Sequence, residues 1–233
     1  MGIPRTSDPL ARSMGSPTTD RRTFIKQVCL TAAAAVGLPS TIGLKIANAA
    51  ATGLRPSVVW LHFQECTGCT ETLLRTSHPA LGKLILDLIS LDYHETLLVG
   101  AGAQAHDALH EAMEKHDGQF VCVVEGAIPT AADGIHCQIG GRPAVEIMRE
   151  VGERAGAIVA IGSCAAFGGL PAADPNPTEA KGVAEILPDK TVVNLPGRPS
   201  NPYNFLGVVP QFLTMGTLPP LDDQRRPLFA YGR

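Results

Sequence analysis

The feature that most constrains the fold is an alternation of short apolar runs with helical patterns, which begins after Ala51. Five such runs are predicted to be strands; four of them are rich in β-branched or aromatic residues, and the second is a weaker, strand-like segment. They lie at residues 57–63, 91–98, 120–125, 157–161 and 191–195. Segments with helical spacing of apolar residues lie at about 79–90, 104–116, 144–155 and 203–215. Strands that alternate with helices predict an α/β fold, in which helices cover a parallel sheet.

The composition is that of an ordinary globular protein, because 45% of the 233 residues are hydrophobic, 18% are charged and the net charge is -3. This balance lacks the excess of basic residues that marks a nucleic-acid binder, so we expect no nucleic-acid partner. The six cysteines are too sparse for a disulfide-stapled mini-domain. Their use for metal or redox chemistry fits better.

Two of these cysteines stand directly after the first predicted strand. Cys66 and Cys69 lie in the stretch Glu-Cys-Thr-Gly-Cys-Thr-Glu, residues 65–71. Open α/β sheets place their chemistry at the carboxyl ends of strands, where this stretch is expected. The pair alone leaves three alternatives: half of an iron–sulfur site, half of a zinc site, or a redox dithiol.

Three further strand-end loops are predicted to reach the same edge of the sheet. Glu125 ends the third run, and its carboxylate is either a solvated loop residue or part of the cysteine crevice. Cys164 follows the fourth run in a loop flanked by glycines, which favours a metal site shared with the first two cysteines. The last run delivers a proline-rich loop, residues 196–202, in which Arg198 takes the place where a fourth ligand is expected.

Other candidate ligands are interpreted as structural. Cys122 lies inside a strand run and is expected to behave as a small hydrophobic residue. His136 and Cys137 are neighbours in a loop, and adjacent side chains in extended backbone point apart.

The first 50 residues resemble a twin-arginine export signal. Arg21 and Arg22 precede a short apolar stretch, residues 28–38, and a small-residue cleavage site, residues 47–50. We therefore predict a signal peptide over residues 1–50, followed by one domain over residues 51–233. This resemblance implies recognition by the twin-arginine machinery and a periplasmic location.

Taken together, the loops resemble the small subunit of nickel–iron hydrogenases, in particular the exported uptake type. The resemblance rests on residues 65–71, on Glu-Gly-Ala-Ile-Pro at 125–129, on Gly-Ser-Cys at 162–164 with the glycines at 168–169, and on Pro-Gly-x-Pro-x-Asn-Pro at 196–202. It implies a flavodoxin-like domain whose parallel sheet carries helices on both faces.

The same resemblance implies a function. Cys66, Cys69 and Cys164 match three ligands of the proximal [4Fe–4S] cluster of that family. Hydrogen is oxidised at the nickel–iron centre of a separate large subunit, and the small subunit passes the electrons on. The acceptor is expected to be a membrane cytochrome b or another carrier, so the complex is expected at the cytoplasmic membrane.

This chain departs from the family pattern in two ways. The family has a cysteine as fourth cluster ligand where this chain has Arg198, whose guanidinium cannot bind iron. The family also continues beyond residue 233 with segments that hold further clusters, so we expect a truncated chain that lacks the C-terminal cluster domain. Two alternatives therefore stay open: a cluster-defective remnant that only docks on the large subunit, and a thioredoxin-like dithiol oxidoreductase that uses Cys66 and Cys69.

Overall fold

The computed structural model describes Arg55 and residues 57–232, so the predicted signal peptide lies outside the described residues. Seven strands occur in this part of the chain: β1 Ser57–His62, β2 Ser90–His94, β3 Val121–Glu125, β4 Gln138–Ile139, β5 Arg142–Pro143, β6 Ala157–Ile161 and β7 Val192–Leu195. The two short strands β4 and β5 pair as an antiparallel hairpin. The other five form one sheet in the order β2-β1-β3-β6-β7, and all its pairings are parallel. This is the strand order of a flavodoxin-like doubly wound fold, as predicted.

Eight α-helical segments are described between and after these strands: α1 Gly68–Leu74, α2 Leu81–Lys83, α3 Ala103–Lys115, α4 Ala144–Arg154, α5 Gly162–Phe167, α6 Val183–Ile186, α7 Pro202–Met215 and α8 Leu228–Tyr231. A π-helical segment, Leu84–Leu88, continues α2, and a 3₁₀ segment, Ala131–Gly134, follows β3.

The sheet buries apolar side chains on both of its faces because successive residues of a strand point to opposite sides. In β1, Val59 and Leu61 join a core that includes buried residues of α3, α4 and α6. Val58 and Trp60 face the other way, into a core that includes residues of α1 and α7. Helices on both faces are therefore confirmed, and the carboxyl edge of the sheet is left for the loops.

The structure corrects the prediction between the first two sheet strands. The helix predicted at 79–90 is shorter, since α2 and its π-helical continuation span 81–88, and the strand predicted at 91–98 is β2, Ser90–His94. Helix α1 was not predicted, because its glycine and threonines have low helix propensity. It begins inside the cysteine stretch and places Cys69 in its first turn.

The proline-rich segment after α7 returns to the sheet. The backbone amide of Asn194 in β7 donates to the carbonyl of Arg225, 2.8 Å away. The Tyr231 hydroxyl donates to the carbonyl of Pro196 at 2.8 Å and so supports the loop that follows β7. Among the residues that the structure describes, no helix combines the length and apolar character needed to span a membrane.

Candidate functional site

A pocket at the carboxyl edge of the sheet brings together the three predicted cysteines. Cys66, Cys69 and Cys164 all line it, together with Arg198. Cys66 is exposed, Cys69 is buried and Cys164 is partly buried, and none of the three forms a disulfide. The sequence prediction that these three side chains meet at one sheet edge is therefore confirmed as geometry.

The position of Cys69 is set by the carboxylate of Glu125. This side chain ends β3, is only 2% exposed, and accepts a hydrogen bond from the backbone amide of Cys69 at 2.9 Å. It also accepts bonds from Thr70, whose amide lies at 3.1 Å and whose hydroxyl lies at 2.7 Å. The first amides of a helix have no partner within the helix, so Glu125 serves as their acceptor and fixes α1 to the sheet. Of the two interpretations of Glu125, the crevice position is the one observed.

A close approach of two loops explains why a glycine follows Glu125. Gly126 has φ +99°, and a Cβ there would lie 2.8 Å from the backbone oxygen of Gln64. Gln64 and Ala127 exchange two backbone hydrogen bonds of 3.0 and 2.9 Å. The segment just before Cys66 is thereby tied to the segment after β3, which leaves no room for a side chain at Gly126.

The loops after β6 and β7 are joined by Ser163. Its hydroxyl accepts a bond from the amide of Gly197 at 3.1 Å, and its own amide donates to the carbonyl of Gly197 at 2.9 Å. A Cβ at Gly162, which has φ +84°, would lie 2.6 Å from the sulfur of Cys69. Cys164 is thus held beside Cys69 by backbone packing and by hydrogen bonds between the two loops.

Burial controls the protonation of Cys69. It raises the pKa of this thiol to about 12, so without a metal the group is protonated at neutral pH. A coordinated iron reverses this preference, because metal ligation deprotonates a thiol. The pocket therefore suits a thiol that stays protonated in the absence of metal and becomes a thiolate when it binds a metal ion.

A second group of titratable residues lies at the carboxyl ends of β1 and β2 and was missed by the sequence analysis. The rings of His62 and His94 have centroids 4.6 Å apart, and the Glu95 carboxylate accepts a bond from the amide of His62 at 3.0 Å. Burial raises the pKa of Glu95 to about 8 and lowers that of His94 to about 3. The available signal was the run Tyr-His-Glu, residues 93–95, at the end of the second strand.

The pocket offers three thiols as possible ligands of an iron–sulfur cluster. Within the described ranges, no three His, Cys, Asp or Glu side chains converge as ligands of a single metal ion would. A cubane cluster makes a different demand, because each thiolate binds a different iron and the ligands surround a volume. Arg198 is exposed and lines the pocket, but its guanidinium offers no lone pair to a fourth iron.

Comparison with known proteins identifies the family. A family model described as "NADH ubiquinone oxidoreductase, 20 Kd subunit" matches residues 66–212. The chain is 49% identical over 214 residues to the Hydrogenase-2 small chain of Escherichia coli K12. The match covers 92% of this chain and 57% of that protein. It is 45% identical to a periplasmic [NiFe] hydrogenase small subunit of Nitratidesulfovibrio vulgaris, with 91% of this chain and 67% of the relative covered. The chain belongs to the family of [NiFe] hydrogenase small subunits.

A solved structure supports the same membership. The reduced, active form of the Ni-Fe-Se hydrogenase from Desulfomicrobium baculatum matches with a TM-score of 0.72 at 36% identity, over 75% of this chain and 70% of that one. The chain spans about 57% of the length of the Escherichia coli hydrogenase small chain that it matches. Both the predicted family and the predicted fold are confirmed, whereas the role of Cys66, Cys69 and Cys164 as ligands stays a prediction.

Proposed function

We propose that this hydrogenase small subunit carries electrons away from the hydrogen-oxidising centre of a large subunit through an iron–sulfur cluster bound by Cys66, Cys69 and Cys164. The observation that carries the proposal is the meeting of these three thiols in one pocket at the carboxyl edge of the sheet. When bound, such a cluster accepts and releases single electrons. The protein positions the sulfurs, since Glu125 orients the Cys69 turn and Ser163 joins the two loops on the other side.

Contact with a large subunit is part of this proposal. Three large apolar side chains are exposed in the segments that follow β3 and β6, at the same edge as the cysteines: Ile135 at 59%, Phe167 at 47% and Leu170 at 65%. Two of them follow Cys164 closely in the chain. Exposed apolar groups beside a redox site are suited to a partner that must bring its own centre close.

The relatives support an exported location. One of them is named a periplasmic hydrogenase small subunit and another, from Azotobacter vinelandii, an uptake hydrogenase small subunit. Together with the twin-arginine pattern in residues 1–50, these names favour export of the folded chain to the periplasm. A membrane cytochrome b or another carrier is the proposed acceptor.

A cluster-defective docking subunit is the second candidate, and Arg198 is the observation that favours it. The guanidinium occupies the pocket lining where the family pattern has a fourth thiol. The thioredoxin-like alternative has less support, because it gives no role to Cys164, which lines the same pocket.

Anaerobic co-expression with a matching large subunit tests these candidates. Iron content and electron paramagnetic resonance are compared for the native chain, for Arg198→Cys, and for Arg75→Cys, which adds an exposed thiol at the end of α1 as a control. We expect the native chain to bind a cluster, and Cys66→Ser to lose it.

Two other results decide against this proposal. Iron that appears only in Arg198→Cys, and not in Arg75→Cys, would identify the natural chain as the docking subunit. Absence of iron from all variants, with large-subunit binding also lost, would remove both candidates.

A further inference from the structure

Two histidines on helix α3 form a close pair that the electron-transfer role does not use. His106 and His110 lie one turn apart, so both side chains project from the same face of the helix. Their Nε2 atoms are 3.2 Å apart and their ring centroids 4.3 Å apart. His106 is exposed and the side chain of His110 is 34% exposed, so the pair is open to solvent. Neither residue lines the cysteine pocket.

The separation of the two nitrogens fits chelation of one metal ion. Imidazole nitrogens bind zinc at about 2.0–2.1 Å, and two nitrogens 3.2 Å apart at that distance subtend an angle of about 100° at the ion. This angle lies between the octahedral and tetrahedral values. The nitrogen separation therefore suits a common ion, which both rings bind once their lone pairs are turned towards it. In the absence of an ion, one ring can donate to the other.

A carboxylate behind one ring supports the same interpretation. Glu150 on helix α4 places an oxygen 3.9 Å from Nδ1 of His110, and the other oxygen of this carboxylate pairs with Arg142 at 2.5 Å. A carboxylate near Nδ1 favours the tautomer with its proton on that atom, which leaves the Nε2 lone pair free. Metal-binding histidines commonly donate this N–H to a carboxylate, and a small movement of either side chain would bring the 3.9 Å contact to hydrogen-bond distance.

We propose that His106 and His110 form a surface binding site for a late first-row divalent cation, such as Ni²⁺, Cu²⁺ or Zn²⁺. Imidazole prefers these ions over Mg²⁺ and Ca²⁺, which favour oxygen ligands. Among the described residues no group of three ligands converges, so water completes the coordination and the ion remains exchangeable. Glu150 acts through His110 as a positioning residue.

The test uses the full chain without an affinity tag and with Ni²⁺ as the probe. Calorimetric titration compares the native chain with His106→Ala, His110→Ala and Glu150→Gln, and all four proteins keep every cysteine. His136→Ala is the matched control, because it removes an exposed loop histidine whose ring contacts no other aromatic ring among the residues that the structure describes. Circular dichroism verifies that α3 is retained in each variant.

In the native chain and in His136→Ala we expect one Ni²⁺ ion at the histidine pair, in addition to any Ni²⁺ at the cysteine pocket, which is the same in every variant. Affinity at the histidine pair should be weakened at least about tenfold in each single-histidine variant and up to about tenfold in Glu150→Gln. Binding at a large excess of Ni²⁺ over Kd should also raise the Tm of the native chain by roughly 5–10 °C, with a smaller rise in His106→Ala. Equal Ni²⁺ affinity in the native chain and His106→Ala would overturn the proposal and leave the pair as a hydrogen bond between rings. Loss of affinity in His136→Ala as well would overturn it too.

Discussion

Replacement of Glu125 by glutamine is the sharpest test of how the fold builds the cysteine pocket. Glutamine keeps the shape of the side chain and one acceptor oxygen, but it places an NH₂ group where the other oxygen stood. If the remaining oxygen keeps the two bonds from Thr70, the amide of Cys69 faces a donor instead of the acceptor now 2.9 Å away. A hydrogen bond to a charged group is worth about 1.5–3 kcal/mol, and an unsatisfied buried donor costs about 1–3 kcal/mol.

We therefore expect Glu125→Gln to lower the free energy of unfolding by about 3 kcal/mol. For a domain of this size each kcal/mol corresponds to about 2–4 °C, so Tm should fall by about 6–12 °C. Thermal and urea unfolding of the iron-free, reduced chain measure this change. Hydrogen exchange of the Cys69 and Thr70 amides supplies a local readout, because both should exchange faster in the variant.

Glu71→Gln is the matched control, since Glu71 is an exposed acidic residue in the first turn of the same helix. Its interaction with the helix dipole is worth about 0.3–1 kcal/mol, so its Tm should fall by no more than about 4 °C. If Glu125→Gln unfolds no earlier than Glu71→Gln and the two amides exchange at the native rate, the assignment of Glu125 as the acceptor that fixes α1 is wrong.

Two further predictions concern the pH dependence of stability and the close backbone contact at Gly126. The pKa of Glu95 is raised from 4.5 to about 8, so its stabilising effect is complete below pH 4.5 and is lost as the pH rises through 8. The lowered pKa of His94 acts in the opposite direction below pH 6.5, so the effect of Glu95 is read as a difference between two proteins. Between pH 4.5 and 8 the Tm of the native chain should fall relative to that of Glu95→Gln, and equal pH profiles would contradict this. Gly126→Ala should destabilise the fold by more than about 3 kcal/mol, because its Cβ meets the Gln64 backbone. Gly118→Ala, also at positive φ but in open space, should lower the free energy of unfolding by only about 1–2 kcal/mol. Equal losses of unfolding free energy in the two variants, measured with urea, would refute the clash.

The meeting of the three cysteines could be predicted because it follows from topology. Strand runs such as residues 121–125 and 157–161 are recognisable by their β-branched composition, and strands that alternate with helices must run parallel. Parallel strands bring their carboxyl ends to one edge, so Cys66, Cys69 and Cys164 were expected at the same edge, and the sheet order then places β1 and β6 only one strand apart. No knowledge of side-chain packing was needed for this step.

The short helix α1 could not be predicted in the same way. Its seven residues contain a glycine and two threonines, and they form a helix because Glu125, more than fifty positions later, accepts the first amides. The return of the last segment also depends on distant partners, such as the bond between Tyr231 and Pro196. Local amino-acid composition does not predict such contacts.

The sequence by itself determined the α/β class, the alternation of the five sheet strands with the longer helices along the chain, the family and the residue types available as ligands, because these depend on local pattern and on short motifs. Only the tertiary structure decided that Glu125 is buried as an acceptor, that Glu95 and His94 have shifted pKa values, and that His110 lies near Glu150. Protonation and hydrogen bonding depend on which groups lose water and which donors face them. Those conditions exist only after residues far apart in the chain have packed together.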